Sequence, residues 1–132
     1  MISSYNYRKG CKMTKNLAFV IEDNADLSEI FSRALQTAGF EVESILDGLV
    51  AQTRLKETIP NVIVLDMHLP NVDGPTLLKQ IHADERLSKA RIIIATADSA
   101  QGEFYRSMAT IVMIKPITFS QLRDISARLK VD

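Results

Sequence analysis

The sequence predicts an α/β fold: a doubly wound, five-stranded parallel sheet with five helices distributed over its two faces. Two observations predict this class. Short apolar runs alternate along the chain with segments of helical period. Three of those runs are nearly all apolar, as parallel strands covered on both faces tend to be. Successive strands are then expected to be joined by right-handed crossover connections.

The strands are predicted where an apolar run has the length of a buried strand. These runs cover Leu17 to Ile21, Glu41 to Ile45, Val62 to Leu65, Arg91 to Ala95 and Ile111 to Ile114. The sequence contains no internal repeat, so we expect one sheet rather than a repeated unit.

The first three helices are predicted between these strands. Apolar residues at spacings of three and four indicate the first helix, which Gly39 closes. They are Leu27, Ile30, Phe31, Ala34, Leu35 and Ala38. The second helix is predicted at Asp47 to Thr58. The third opens at Gly74-Pro75, because proline is tolerated in the first turn of a helix.

The last two helices have signals of different strength. Thr118 and Gln121 have the spacing of a capping box, which predicts the start of the fifth helix, and this helix should run to about Leu129. The fourth helix lies somewhere in Ser99 to Met108 and has the weakest pattern of the five.

Composition limits the possible functions. The chain has 132 residues, 46% of them hydrophobic, which suits one domain with one core. Sixteen basic residues balance sixteen acidic ones, so the overall charge does not favour direct binding to nucleic acid. The longest apolar runs fall far short of the ~18 residues that a membrane span needs, so we expect no membrane insertion.

The chain is divided into a leading segment and one domain. Residues 1–16 are polar and lack periodicity, which predicts a flexible N-terminal extension, with Met13 as a candidate natural start. The domain is then expected at residues 17–131. The extension has no apolar segment after its basic residues, and Cys11 has no partner for a disulfide within the chain. A cytoplasmic protein is the expectation.

Polar residues stand where the predicted strands end. Glu22-Asp23 follow the first strand, Asp66 the third, Thr96 the fourth and Lys115 the fifth. In parallel sheets, ligands and chemistry gather at the carboxyl ends of the strands. The sequence therefore predicts that three carboxylates, a hydroxyl and an ammonium group converge there.

Such a group of side chains suits phosphoryl transfer. Three carboxylates repel one another unless a hard cation such as Mg²⁺ lies between them. Thr96 and Lys115 offer donors for an added oxyanion. An aspartate carboxylate is a competent nucleophile when the developing charge is neutralised, so Asp66 is the candidate acceptor. Taken singly, however, Asp66 could be a cap, and Glu22-Asp23, Asn24 or Asp26 could cap the first helix.

Four motifs resemble, in order, the signatures of the receiver domain of two-component response regulators. They are IEDN at 21–24, LDMHLPNVDG at 65–74, IIIATAD at 92–98 and IKPI at 114–117. The resemblance covers about residues 17–129 and implies a flavodoxin-like sheet of order 2-1-3-4-5. It also implies a single-domain protein of chemotaxis or phosphorelay type.

The resemblance implies a role for each candidate residue. Asp66 is the expected phosphoacceptor, supplied by a sensor histidine kinase or a histidine phosphotransfer protein. Mg²⁺ is the expected cofactor, with four ligands: Glu22, Asp23, Asp66 and the backbone carbonyl of His68. Thr96 is expected to bond the phosphoryl group, and Lys115 to bridge phosphate and carboxylate. Pro116 follows Lys115 across a bond that is often cis in this family.

The resemblance further implies a bacterial signalling switch rather than an enzyme with an external substrate. The acyl phosphate would stabilise one conformation of the surface formed by the fourth helix, fifth strand and fifth helix, which downstream proteins recognise. The domain is also expected to promote its own phosphorylation and dephosphorylation. Since nothing after Val131 could form an output domain, we expect action in trans.

Two departures from the family pattern lie near the output surface. Val112 stands where an aromatic residue is usual, and the segment from Thr96 to Lys115 is about one helical turn short, with Met108-Ala109 in place of Gly-Ala. The alternative function is thus a receiver-like interaction module that works without phosphorylation. A phosphohydrolase would need a second acid where His68 stands, and a flavin site would need an uncharged loop after the first strand.

Overall fold

The strands form one parallel sheet in the order β2-β1-β3-β4-β5, which confirms the predicted fold class. The computed structural model describes residues 16–131. The strands are Leu17–Ile21 (β1), Glu41–Ile45 (β2), Val62–Asp66 (β3), Arg91–Thr96 (β4) and Ile111–Ile114 (β5). Both β3 and β4 run one residue further than predicted, so Asp66 and Thr96 are themselves the last residues of strands.

Five α-helices connect or follow the strands. They are Ala25–Thr37 (α1), Gly48–Glu57 (α2), Gly74–Ala83 (α3), Ser99–Phe104 (α4) and Phe119–Arg128 (α5). The predicted capping box at α5 is present, with Thr118 and Gln121 bonded reciprocally. The predicted second helix was too long at both ends, because Asp47 and Thr58 are its caps rather than helical residues.

The core consists of two apolar layers, one on each face of the sheet. Phe31 and Leu35 of α1 pack with Leu122 of α5 on one face, and Leu77 and Leu78 of α3 lie in the layer on the other. The central strand β3 is buried along its whole length. The packing on both faces therefore fixes the positions of the strands, and the candidate site lies at their carboxyl ends.

The fourth helix is short, in agreement with the segment from Thr96 to Lys115 that is about one helical turn shorter than the family pattern. It has six residues and is followed by a 3₁₀ turn at Arg106–Met108. Phe104 at its end is 77% exposed, and Ile114 on β5 is 41% exposed. This part of the molecule therefore presents apolar groups to solvent.

Asn16 joins the two ends of the described chain. Its side-chain amide donates to the carbonyl of Val131 at 2.8 Å, and its Oδ1 accepts from the Val131 N–H at 2.6 Å. From the sequence alone, Asn16 is expected to be the last residue of the extension. Cys11 and the rest of residues 1–15 lie outside the described residues. Within residues 16–131, no helix is both long and apolar enough to cross a bilayer.

Candidate functional site

Two buried carboxylates lie side by side at the carboxyl end of the sheet. Glu22 follows β1 and Asp66 ends β3, and their residues are 1% and 3% exposed. The two strands are direct neighbours in the sheet. Asp23 follows Glu22 and is exposed. The fold thus brings the three acidic residues predicted from the sequence to one place.

Lys115 supplies a positive charge to this pair. Its Nζ lies 2.8 Å from Oε1 of Glu22 and 3.4 Å from Oδ1 of Asp66. Burial on its own would lower the pKa of Lys115. The hydrogen bond to Glu22 and the charge of Asp66 outweigh it, so the pKa of Lys115 is raised. The lysine is therefore held as a cation between the two carboxylates.

Backbone groups fix the orientation of the carboxylates. The N–H of Asn24 donates to Oε2 of Glu22 at 3.2 Å, and the N–H of His68 donates to Oδ1 of Asp66 at 3.2 Å. The backbone N–H of Lys115 donates to the carbonyl of Thr96, and the following bond to Pro116 is cis. Each carboxylate is thus held by one main-chain donor and one ammonium group.

Asp66 has a perturbed affinity for protons. Burial, and then the charge of Glu22, raise the pKa of Asp66 to about 6, although the His68 N–H and Lys115 act in the opposite direction. The site therefore holds more negative charge than Lys115 can neutralise. An added cation would relieve this repulsion.

The acidic residues have a geometry compatible with a metal ion. Glu22, Asp23 and Asp66 each offer a carboxylate oxygen, and these three atoms lie within 4.8 Å of one another. Carboxylate oxygens are the ligands that hard divalent cations prefer. The donor set and the raised pKa of Asp66 therefore both fit a cation such as Mg²⁺.

Thr96 ends β4 and is completely buried. Its hydroxyl donates to Oε1 of Gln101 at 3.2 Å and accepts from the N–H of Asp98 at 3.1 Å. The hydroxyl is thus directed to α4 rather than to Asp66. Nothing in the sequence pattern predicts this contact with Gln101, because the contact depends on where α4 lies on the sheet.

The loop from Asp66 to α3 packs tightly against the start of α2. A Cβ atom at Gly48 would overlap the carbonyl oxygen of Val72, and one at Gly74 would overlap the backbone of Met67. The amide of Asn71, whose φ is +70°, donates to Asp47. The side chain of His68 is exposed on this loop.

Comparison with known proteins places these residues in a family. A family model for the response regulator receiver domain matches residues 18–127. The phosphate regulon transcriptional regulatory protein PhoB of Rhizobium meliloti is 34% identical over 106 residues, which are 78% of this chain and 47% of that protein. The chain therefore spans about half the length of such curated relatives.

Solved structures show the same fold. The chemotaxis response regulator CheY4 of Vibrio cholerae has a TM-score of 0.79 at 23% identity, over 88% of this chain and 99% of that one. The receiver domain of the sensor histidine kinase PA1611 of Pseudomonas aeruginosa, which has a magnesium ion coordinated in its active site cleft, has a TM-score of 0.77 at 24% identity. That alignment covers 88% of this chain and 98% of that one.

Proposed function

Because this chain belongs to the response regulator receiver family of two-component signalling, we propose that its Asp66 accepts a phosphoryl group and thereby switches the binding of partner proteins. The observation that carries this proposal is the placement of Asp66. It is a buried carboxylate beside Lys115 and Glu22, and its pKa is raised to about 6. At pH 7 such a group is still mostly ionised, so it can act as a nucleophile.

The proposed reaction is the transfer of a phosphoryl group from a phosphohistidine. A carboxylate oxygen of Asp66 attacks phosphorus, a P–O bond forms, the P–N bond breaks, and the histidine nitrogen keeps the electron pair. Lys115 already lies 3.4 Å from Asp66, and its charge would stabilise the transferred oxygens. The hydroxyl of Thr96 would supply a further donor from β4.

The site residues fit Mg²⁺ as the cofactor of this reaction. The proposed ligands are Glu22, Asp23, Asp66 and the backbone carbonyl of His68, and three of them lie in the acidic cluster. When bound, Mg²⁺ would neutralise the carboxylates and the charge that develops on the transferred group. A set of oxygen donors without sulfur or imidazole nitrogen is the set this ion prefers.

The partners follow from this chemistry. The proposed donors are a sensor histidine kinase or a histidine phosphotransfer protein in the cytoplasm. The proposed output surface is formed by α4, β5 and α5, and the exposed Phe104 and Ile114 support its use by a downstream protein. The chain would act as a switch that promotes its own phosphorylation and dephosphorylation. We assign this role to residues 17–131, with residues 1–16 as an extension.

The test is the intact mass of the protein after incubation with acetyl phosphate, with and without Mg²⁺. We expect the wild type to gain one phosphoryl group only when Mg²⁺ is present, and Asp66→Asn to gain none. Asp124→Asn is the matched control, because Asp124 is an exposed residue on α5 and its loss should leave the adduct unchanged. Hydroxylamine should release the group, since it cleaves acyl phosphates.

A different result would change the assignment. An adduct of equal yield on Asp66→Asn would place the acceptor elsewhere. No adduct on the wild type, with no measurable Mg²⁺ binding, would favour the interaction module that works without phosphorylation.

A further inference from the structure

We propose that Gln101 is a positioning residue that holds the hydroxyl of Thr96 away from Asp66 until a phosphoryl group arrives, and so couples the site directly to α4. This inference rests on the proposed function. Its starting point is the 3.2 Å hydrogen bond from Thr96 Oγ1 to Gln101 Oε1. The bond joins the last residue of β4 to the first turn of the next helix.

The hydroxyl of Thr96 can donate to one acceptor at a time. A threonine hydroxyl has a single hydrogen to donate, and in this structure Gln101 accepts it. A phosphoryl group on Asp66, which belongs to the strand adjacent to β4, would present new oxygen acceptors. Thr96 can donate to one of them only by breaking its bond to Gln101, so the two states of the hydroxyl exclude each other.

Gln101 is itself held in place. Its backbone N–H donates to Oδ1 of Asp98 at 3.0 Å, and the N–H of Asp98 donates to Thr96 Oγ1 at 3.1 Å. Thr96, Asp98 and Gln101 therefore form a closed ring of hydrogen bonds at the start of α4. A change at the Thr96 hydroxyl affects two of the three bonds in this ring.

The packing of α4 against Thr96 explains how a change at the threonine can reach the helix. A Cβ at Gly102 would lie 2.8 Å from Cγ1 of Val112 and 3.3 Å from Cγ2 of Thr96. The backbone of α4 thus lies directly on these two side chains. Here the helix, rather than an aromatic ring, fills the space behind the threonine. When the bond to Thr96 breaks, Gln101 loses its partner and the first turn of α4 loses one of its attachments to the sheet.

The experiment measures the affinity of the Mg²⁺-saturated protein for beryllofluoride, a phosphoryl mimic, by isothermal titration calorimetry. Gln101→Met keeps the length of the side chain but removes the acceptor that competes for the Thr96 proton. We expect this variant to bind beryllofluoride roughly three- to tenfold more tightly, the range that corresponds to one net hydrogen bond. Glu103→Met, an exposed position on the same helix, is the matched control and should bind like the wild type.

A double-mutant cycle separates this role from a merely structural one. In a Thr96→Val background the competition is already gone, so Gln101→Met should change the affinity by less than about 1.5-fold. An equal effect in both backgrounds would overturn the inference, and so would an unchanged affinity of Gln101→Met. If the wild type binds no beryllofluoride, the proposed function fails, and this inference fails with it.

A measurement on the wild type gives a second test that needs no variant. The side-chain NH₂ resonances of Gln101 should shift when beryllofluoride binds, while those of Gln52, on α2, should stay in place. Unshifted Gln101 resonances in a protein that binds the mimic would contradict the coupling.

Discussion

The two loops that border Asp66 are held in different ways. The loop from β3 to α3 is fixed by its backbone, since Gly48 contacts the carbonyl of Val72 with no room for a Cβ atom. The connection from β4 to α4 depends instead on side chains, with Thr96 bonded to Gln101. The comparison indicates that Asp66 lies on the more rigid side of the site and Thr96 on a side that can rearrange.

The largest expected effect tests the rigid side. Gly48→Ala would place a methyl group on the carbonyl oxygen of Val72, and neither backbone can move without disturbing α2 or the loop. We expect the free energy of unfolding to fall by about 3 kcal/mol or more. Urea denaturation measures this change. A loss below about 1 kcal/mol would show that the loop is easily displaced.

The second expected effect concerns the charge of Asp66, which lies on the rigid side of the site. Asp66 has a pKa of about 6 in the folded state against an ordinary value of 3.8, so the folded protein binds this proton more tightly than the unfolded chain does. The stability of the metal-free protein should therefore fall as the pH rises from about 4 to about 6. Asp66→Asn does not titrate and should be more stable than the wild type by about 2 kcal/mol at pH 7, allowing for screening by water.

Thermal unfolding between pH 4 and pH 8 in the presence of a chelator checks this prediction. The exposed Asp124→Asn should follow the wild type at every pH. Saturating Mg²⁺ should reduce the advantage of Asp66→Asn, because the ion would stabilise the wild-type carboxylates. If the two proteins lose stability in parallel above pH 4, another group carries the pH dependence.

A smaller effect tests the hydrogen bond that joins the β3–α3 loop to the N-cap of α2. Asn71 has a φ of +70° and donates to Asp47, so Asn71→Ala loses a hydrogen bond and puts alanine, which tolerates a left-handed conformation less well than asparagine, at this position. We expect a loss of about 1 to 2 kcal/mol. Asn71→Gly also loses the hydrogen bond but adopts the left-handed conformation without steric cost, so it should recover part of the loss. Equal losses in urea denaturation would assign the whole effect to the bond.

The smallest expected effect comes from a substitution in α4, on the side of the site that contains Thr96. Gly102→Ala crowds a side chain, Val112, rather than a backbone, and alanine favours a helix over glycine by about 1 kcal/mol. The two effects oppose each other, so its stability should stay within about 1 kcal/mol of the wild type. Urea denaturation of Gly102→Ala and Gly48→Ala under the same conditions compares their losses of stability directly. Similar losses in the two variants would show that both sides are equally rigid.

Local sequence signals were enough to predict most of the fold. The apolar run from Val62 to Leu65 predicted a buried strand, and the spacing of Thr118 and Gln121 predicted the cap that the structure shows. Both signals depend on neighbours within a few residues. Asp47 was placed inside α2 because an aspartate is compatible with either a cap or a first turn.

The candidate site was predictable in its composition and less so in its contacts. The strand ends placed Glu22, Asp66 and Lys115 together, because parallel strands align their carboxyl ends. The partner of Thr96 was missed, since Gln101 reaches it only through the position of a short helix on the sheet. The pair Asn71 and Asp47 was missed for a related reason: 24 residues separate them, and only packing brings them together.

The paired hydrogen bonds between Asn16 and Val131 have a consequence for the topology of the chain. They hold the two boundaries of the described residues side by side, as in domains that tolerate circular permutation. Asn16 precedes β1, so this junction lies at the opposite end of the sheet from Asp66. A short linker could therefore join the two boundaries and new termini could be opened in a distant surface loop, with Asp66 and its neighbours left intact.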